Sequence, residues 1–400
     1  MSSLSISTPS IHKTLIGVIG GGQLAQMLVE AAIIRDVNVV VQTGSIEDPA
    51  TAKATKLVLA NPIDAVATRD LVKHCKGVTF ENEWINVRKL RSLEQEGATF
   101  YPALTAIEPL IDKISQRLLL QKLNIPGPKW TSLASIIDHP IELPPGWTYP
   151  VMAKATKGGY DGKGTRVIED SNDLETLLRS VNQNHWFLES WVPYENELAL
   201  VCSRDRAGTI RTFPLVETHQ TNQVCDWVLA PAEVNHSVEV LAYNIACSLL
   251  TELDYVGVLG IEFFYGSKGL LVNEIAPRTH NSGHFSIEAC NSSQFDQQLC
   301  ISADLVPPNP ELVHPGALMV NLLGLPKGNF KPLKQRLLEL EALDNSFLHW
   351  YGKEKEIFAR KLGHVTVLLQ GKDSMSRRRE AESAIQAIRS IWPPLNMNSL

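Results

Sequence analysis

The chain has 400 residues, 44% hydrophobic and 20% charged, a balance that excludes a disordered polypeptide. Its 37 basic and 43 acidic residues give a net charge of −6, so a chain-wide basic field for nucleic acid is absent and only a local basic patch stays open. No run approaches the ~18 apolar residues of a membrane span, and at ~150 residues per domain the length fits two or three domains.

Six cysteines (Cys75, Cys202, Cys225, Cys247, Cys290 and Cys300) lie scattered without a CxxC pair. That usage predicts reduced, mostly buried thiols in a cytoplasmic protein, neither a disulfide framework nor a zinc site.

In chain order, residues 1–13 are Ser/Thr-rich and predict a disordered tail. From residue 14 to 108 strand and helix alternate: Leu15 to Ile19, a helix from Gln23 to Ile34, then strands at Val37 to Val41, Lys56 to Leu59 and Gly77 to Phe80. This βαβ rhythm implies a Rossmann-like parallel sheet. A second region, 109–306, opens with a helix at Lys113 to Leu123 and contains a subdomain at about 126–190. It is predicted to be α+β, with strands at Val151 to Ala155, Thr165 to Ile168, Phe187 to Glu189, Glu197 to Cys202, Thr209 to Pro214, Gly257 to Phe264 and Leu270 to Glu274. A helix from about Val238 to Leu253 lies among them. The Pro-rich stretch Val306 to Pro310 precedes a small β-rich region, 307–400, that ends in a helix at about Ser376 to Ile391.

Gly20, Gly21 and Gly22 join the first strand to the first helix, and Gly20, Gly22 and Ala25 satisfy G-x-G-x-x-G/A. Gln42 and Thr43 stand where a nicotinamide enzyme needs a ribose-binding acid, which favours a tight turn without dinucleotide and leaves a single-phosphate site open. Lys154 to Gly164 places four glycines and three lysines between two strands, a loop able to wrap a polyphosphate, although the GK[ST] ending of a Walker loop is missing. Glu262 and Glu274 sit on adjacent, otherwise apolar strands. Two such carboxylates, shared with phosphate oxygens, suit Mg²⁺. His280 and His284 have zinc-helix spacing, but Asn281, Ser282 and Gly283 break a helix, so a polar loop facing a ligand is the better reading. Tyr351 to Lys353, with Arg360 and Lys361, fit a phosphate or, more simply, a solvated face.

Together these motifs resemble the ATP-grasp superfamily, and within it the N5-carboxyaminoimidazole ribonucleotide synthetases of purine biosynthesis. The resemblance runs over about residues 14 to 370 and rests on GGGQL, TFENE at Thr79 to Glu83, GGYDGKG at Gly158 to Gly164, NEIAPRTHNSGH at Asn273 to His284, HWYGK and RKLGH. It implies an ATP-grasp architecture with an N-terminal Rossmann-like domain and a small C-terminal β-rich domain. It also implies an ADP-forming ligase that carboxylates 5-aminoimidazole ribonucleotide with bicarbonate. ATP and Mg²⁺ would serve it, a homodimer would form, and a mutase would take the product.

By the same resemblance Lys113, Lys154, Asn273 and Glu274 would meet ATP phosphates, beneath a lid of Gly159, Tyr160, Asp161, Gly162, Lys163, Gly164 and Thr165. Glu189, Ser190, Trp191 and Val192 would hold adenine and Glu197 the ribose, with His219 nearby. Glu262 and Glu274 would be the metal ligands. Glu81, His280 and Asn281 would face the ribonucleotide beside the catalytic set Tyr160, Asp161, Lys163 and Arg278, and Lys353, Arg360 and Lys361 would take its 5′-phosphate. Departures from the family pattern are Ala25, Trp84, Thr165, the segment around His219 and one extra residue between Lys353 and Arg360. Three other readings remain: a formate-dependent glycinamide ribonucleotide transformylase, a nicotinamide oxidoreductase, and a non-catalytic nucleotide-binding regulator. The missing ribose acid counts against the second and the paired glutamates against the third.

Overall fold

The computed structural model describes residues 15–136, 142–159, 164–221, 223–353 and 356–395. The expectations for the 1–13 tail and for Tyr160, Asp161, Gly162 and Lys163 lie outside these residues.

The first sheet is parallel and has five strands, β1 (Leu15–Ile19), β2 (Asn38–Thr43), β3 (Lys56–Leu59), β4 (Gly77–Phe80) and β5 (Phe100–Tyr101), in the order β3-β2-β1-β4-β5. Its central strands are apolar because both faces are covered, by the helix Gln23–Ile34 on one side and by Ala65–Val72 and Val87–Gln95 on the other. Strand order reverses at β1, and the carboxyl ends of β1 and β4 open at that reversal, where doubly wound sheets form their crevice. Gly20 to Gly22 and Glu81 leave the sheet there.

A four-stranded antiparallel sheet follows, β6 (Trp130–Ser132), β7 (Val151–Ala155), β8 (Thr165–Ile168) and β9 (Trp186–Ser190), in the order β6-β9-β7-β8. The helix Ser171–Ser180 buries Leu174, Leu177 and Leu178 against it.

The largest sheet has nine strands: β10 (Asn196–Arg204), β11 (Ile210–Thr212), β12 (Val216–Thr221), β13 (Val224–Ala230), β14 (Gly257–Gly266), β15 (Gly269–Ala276), β16 (Gly316–Leu323), β17 (Ser346–Trp350) and β18 (Lys361–Leu369). Pairing of β13 with β16 carries this sheet across the Pro-rich connector at 306–310. One face packs on the helices His236–Glu252 and Ser374–Ile391. The opposite face receives the segment 278–304 and carries the polar site.

Strand and helix periodicity in the sequence places most of these elements within a few residues. The hairpin β12–β13 and the helix Gln294–Ala303 carry no such signal. The hairpin alternates polar and apolar residues only briefly, and the helix is buried along nearly its whole length, so it has no polar face.

Trp392 seals the C-terminal layer. It is fully buried, its Nε1 donates to the Leu323 carbonyl at 2.8 Å, and the Arg336 guanidinium lies 4.1 Å over its ring. Trp392→Ala should cost about 3–5 kcal/mol of stability, and Trp392→Phe only about 1–2, as read from denaturant midpoints by circular dichroism. Equal, small losses for both would show that this corner is not a cooperative part of the core.

Candidate active site

The helix Lys113–Lys122 begins at Asp112, whose carboxylate accepts from Ser115 N at 3.0 Å, and the Lys113 N–H donates to Thr156 O at 2.9 Å. Lys113 therefore sits where β7 enters the glycine-rich loop, and its ammonium pairs with Glu274 at 2.5 Å. One helical turn on, the buried Arg117 donates to Glu189 (2.5 Å) and to the Asn273 carbonyl (2.5 Å). Lys154, on β7, reaches the other Glu189 oxygen at 2.7 Å and Asn273 Oδ1 at 3.0 Å. Burial by itself would raise the Glu189 carboxyl, but the Arg117 and Lys154 charges hold it below the usual carboxylate range. Burial lowers the Lys154 ammonium, with help from the nearby Arg117 and Lys113 charges and against Glu189.

On the nine-stranded sheet, β14 and β15 bring Glu262 directly opposite Glu274. Paired residues share a face, so the two carboxylates emerge together. Glu262 accepts from Asn273 Nδ2 at 3.3 Å and lies 3.3 Å from His280 Nε2. Burial opposes its ionisation, yet the His280 contact, with Lys113 and Lys361, holds its carboxyl down at about 2. Glu262 is thus ionised, and the candidate metal pair is oxygen-rich, as a hard divalent cation requires. Among the described residues no group of three or more His, Cys, Asp or Glu side chains converges as a metal site, so a cation at this pair would draw on other oxygen ligands, such as phosphate oxygens or water.

After β15 the chain turns through a short 3₁₀ segment, Asn281–Gly283. Arg278 pairs with Glu83 at 2.6 Å, tying this loop to the end of β4. Although burial opposes it, the Glu83, Glu274 and Glu81 charges keep the Arg278 guanidinium above its ordinary value. Gly260 lies under the loop, where an added Cβ would approach His280 Cβ to 2.6 Å. Glu81 accepts from Gly22 N at 2.7 Å, and a Cβ on Gly20 or Gly22 would strike its carboxylate at 2.6 or 2.3 Å. The triple glycine is therefore a turn fitted around an acid.

Lys353, for which the sequence favours a solvated face, is buried: its ammonium donates to Gln23 Oε1 (3.0 Å) and Lys361 O (2.6 Å). Burial of its stem under the first helix overrides the turn-like local sequence. Lys361 starts β18 and lies in electrostatic range of Glu262, whereas Arg360 is exposed. Trp191 is largely exposed and Ser190 ends β9; Val192 follows it in the connection to β10. Gly164 lies against Gly159, where an added Cβ would come within 3.2 Å of the Gly159 Cα, and Thr165 bonds Gln223 at the tip of the β12–β13 hairpin.

Register separates one expected contact from the rest. Glu197 lies opposite Thr218 and two pairs along from the Glu262 row, on the same face, so His219 points to the other face, stacked on Trp227 at 5.1 Å. The poorly matching sequence around His219 thus coincides with a side chain turned away from the carboxylates.

Glu83 and Gln23, inside the TFENE and GGGQL motifs but given no role there, and Arg117, Gln294 and Asn321, outside every motif, also contribute to this site. The one hint is Arg117 at i+4 from Lys113 in a helix with buried leucines on the same side.

Burial pushes the Glu197 carboxyl up to about 7, with the Glu262 charge adding to it and the Tyr194 hydrogen bond opposing. A raised folded-state pKa means the stabilising proton is fully held below about pH 4.5 and lost as the pH rises through about 7. Glu197→Gln should therefore gain thermal stability relative to wild type between about pH 5 and about pH 8. A difference in melting temperature that stays constant over that range would remove this titration.

Three protein families match successive parts of the chain. The ribonucleotide synthetase preATP-grasp domain family matches residues 13–110, the ATP-grasp domain family residues 118–295, and the phosphoribosylaminoimidazole carboxylase C-terminal domain family residues 317–378. The N5-carboxyaminoimidazole ribonucleotide synthase of Synechococcus elongatus is 44% identical over 395 residues, covering 98% of each chain. Two structures of the Aspergillus clavatus synthase are similar over 95% of this chain and 98% of theirs. One, with ATP, has TM-score 0.84 at 29% identity, and the other, with ADP and 5-aminoimidazole ribonucleotide, has TM-score 0.82 at 28%. No helix among the described residues is long and apolar enough to cross a membrane. Identity at this level over nearly the full length of both chains, with three matching domain families in order, places the chain in the N5-carboxyaminoimidazole ribonucleotide synthase family of ATP-grasp ligases.

Proposed function

We propose that the protein joins bicarbonate to the amine of 5-aminoimidazole ribonucleotide, with ATP converted to ADP and phosphate. The observation that carries this reading is the convergence of Lys113, Lys154 and the in-register Glu262–Glu274 pair beside the loop 278–284. Cations beside paired hard carboxylates suit phosphoryl transfer, which depends on positioning and charge stabilisation rather than on a covalent protein nucleophile.

In this reading Lys113, Lys154 and Asn273 hold the ATP phosphates. The backbone of Glu189 to Val192 reads adenine, since the Glu189 carboxylate is already engaged by Lys154 and Arg117. Glu197 takes the ribose, and His219 is left out because of its face. Glu262 and Glu274 fit Mg²⁺, which when bound supplies charge neutralisation at the phosphates. Glu81, Arg278, His280 and Asn281 bind the ribonucleotide, and Lys353, Arg360 and Lys361 its 5′-phosphate. Bicarbonate attacks the γ-phosphoryl group, giving carboxyphosphate and ADP. The amine, oriented by Asp161, then takes the carboxyl and phosphate leaves. Carboxyphosphate hydrolyses readily, so a lid from Gly159 to Thr165, with Tyr160 and Lys163, is chemically useful. The three-domain division at 14–108, 109–306 and 307–400, a homodimeric cytoplasmic enzyme, and delivery of product to the mutase complete the proposal.

ADP release should require bicarbonate and rise with 5-aminoimidazole ribonucleotide. Turnover with formate and glycinamide ribonucleotide instead would overturn the reading in favour of a transformylase. Glu274→Gln should keep the fold and lower turnover about hundredfold or more, because an anionic ligand is lost where phosphoryl charge develops. Near-normal turnover of that variant at limiting Mg²⁺ would remove Glu274 from the metal site.

A further inference from the structure

The loop 280–284 presents His280 and Asn281 toward the carboxylate face, yet its own sequence is rich in small, turn-forming residues. What holds it is a set of buried neutral amides from outside the loop. Gln294, the first residue of the helix Gln294–Ala303, is fully buried and uses both ends of its amide on this segment. Its Oε1 accepts from His280 N at 2.7 Å, while its Nε2 donates to His280 O at 2.7 Å and to His284 Nδ1 at 3.1 Å. The orientation of the amide is settled by these partners, because a flip would set donor against donor and acceptor against acceptor.

The backbone N–H of Gln294 also donates to Ser286 Oγ at 3.1 Å, and that hydroxyl donates to Gly283 O at 2.5 Å. A Cβ on Gly283 would come within 2.8 Å of the Gln294 amide, so the loop and the glutamine are fitted to each other. From the other side Asn321, buried on β16, exchanges two hydrogen bonds with Asn281, at 3.1 and 2.8 Å, and donates to Cys225 O at 2.9 Å.

We propose that Gln294 and Asn321 are positioning residues for the nucleotide substrate, setting the loop backbone at His280 and the amide of Asn281. The inference rests on the reading above that this loop binds 5-aminoimidazole ribonucleotide. Neither residue contacts Lys113, Lys154, Glu189 or Glu274, the groups assigned to ATP, among the described contacts. Their loss should therefore move one substrate and not the other. Displacements near 1 Å are enough to cost binding and rate at such sites.

The test compares Gln294→Met and Asn321→Leu with wild type, measuring KM for each substrate and the melting temperature. A rise of about tenfold or more in KM for 5-aminoimidazole ribonucleotide, with KM for ATP within about twofold, is expected for both variants. Should Gln294→Met not fold, Gln294→Glu takes its place: it keeps the acceptor for His280 N–H but loses the donor, and the same selective rise is expected. Unchanged KM in folded variants overturns the proposal. So does a parallel rise for both substrates with a lowered melting temperature, and a selective rise in one variant alone overturns it for the other residue. His280→Ala is the control. If it too leaves KM for the ribonucleotide unchanged, the substrate reading of the loop fails; if it raises KM and the amide variants do not, only the positioning role fails.

Discussion

Two cores of the chain, that of the four-stranded sheet and that of the large sheet, meet at one buried carboxylate, Glu189. Arg117 arrives from the helix packed on the large sheet and Lys154 from β7 of the four-stranded sheet, and both also donate to Asn273 on β15 of the large sheet. Two cations against one carboxylate leave an excess positive charge in a buried place. Such a cluster is costly to break, about 3–5 kcal/mol when one partner is lost, and it is also primed to receive an anion. The Lys154 ammonium, held down by burial and by its cationic neighbours, is the group an arriving phosphate would relieve.

The rest of the site is arranged around that fixed point by a division of labour between charged and neutral groups. Charged side chains connect elements distant in sequence: Arg278 pairs with Glu83, Lys113 pairs with Glu274, and the Lys353 ammonium donates to Gln23 on the first helix. Neutral amides hold the backbone beneath, where a charge would need its own counter-ion: Gln116 spans the Leu110 and Ile275 carbonyls, and Gln294 and Asn321 span the loop after β15. The parallel sheet contributes through its carboxyl edge alone, where Glu81 fills the space that side chains at Gly20 and Gly22 would occupy.

The nine-stranded sheet explains why one face carries the chemistry. Helices His236–Glu252 and Ser374–Ile391 cover one side with apolar contacts, and the other side meets 278–304, a segment rich in Ser, Asn, Gln and His. Because β13 pairs with β16, residues after 316 lie on the same surface as Glu262, which is how Asn321 and Lys361 come near a loop some forty to eighty residues earlier.

Much of the fold was legible in the amino-acid sequence because its signals are local. Apolar runs bounded by glycine and proline mark β1, β4, β7 and β14 to within a few residues. The glycine turn at Gly20 to Gly22, the lysine-rich loop after Lys154 and the pairing of Glu262 with Glu274 across a short hairpin need only neighbouring residues to be read. Register and burial are not local, and they decided the remainder. One residue of strand alternation turns His219 away from the face that carries Glu197 and Glu262. Lys353, which reads as a solvated lysine, is buried because a glutamine 330 positions away accepts from its ammonium. Arg117, Gln294 and Asn321 look like ordinary helix and strand residues in sequence, since a hydrogen bond made across a sheet or between helices leaves no periodic trace in either partner. Composition and periodicity specify which segments form and which face is apolar; only the packed chain determines which polar atoms, brought out of water together, must satisfy one another.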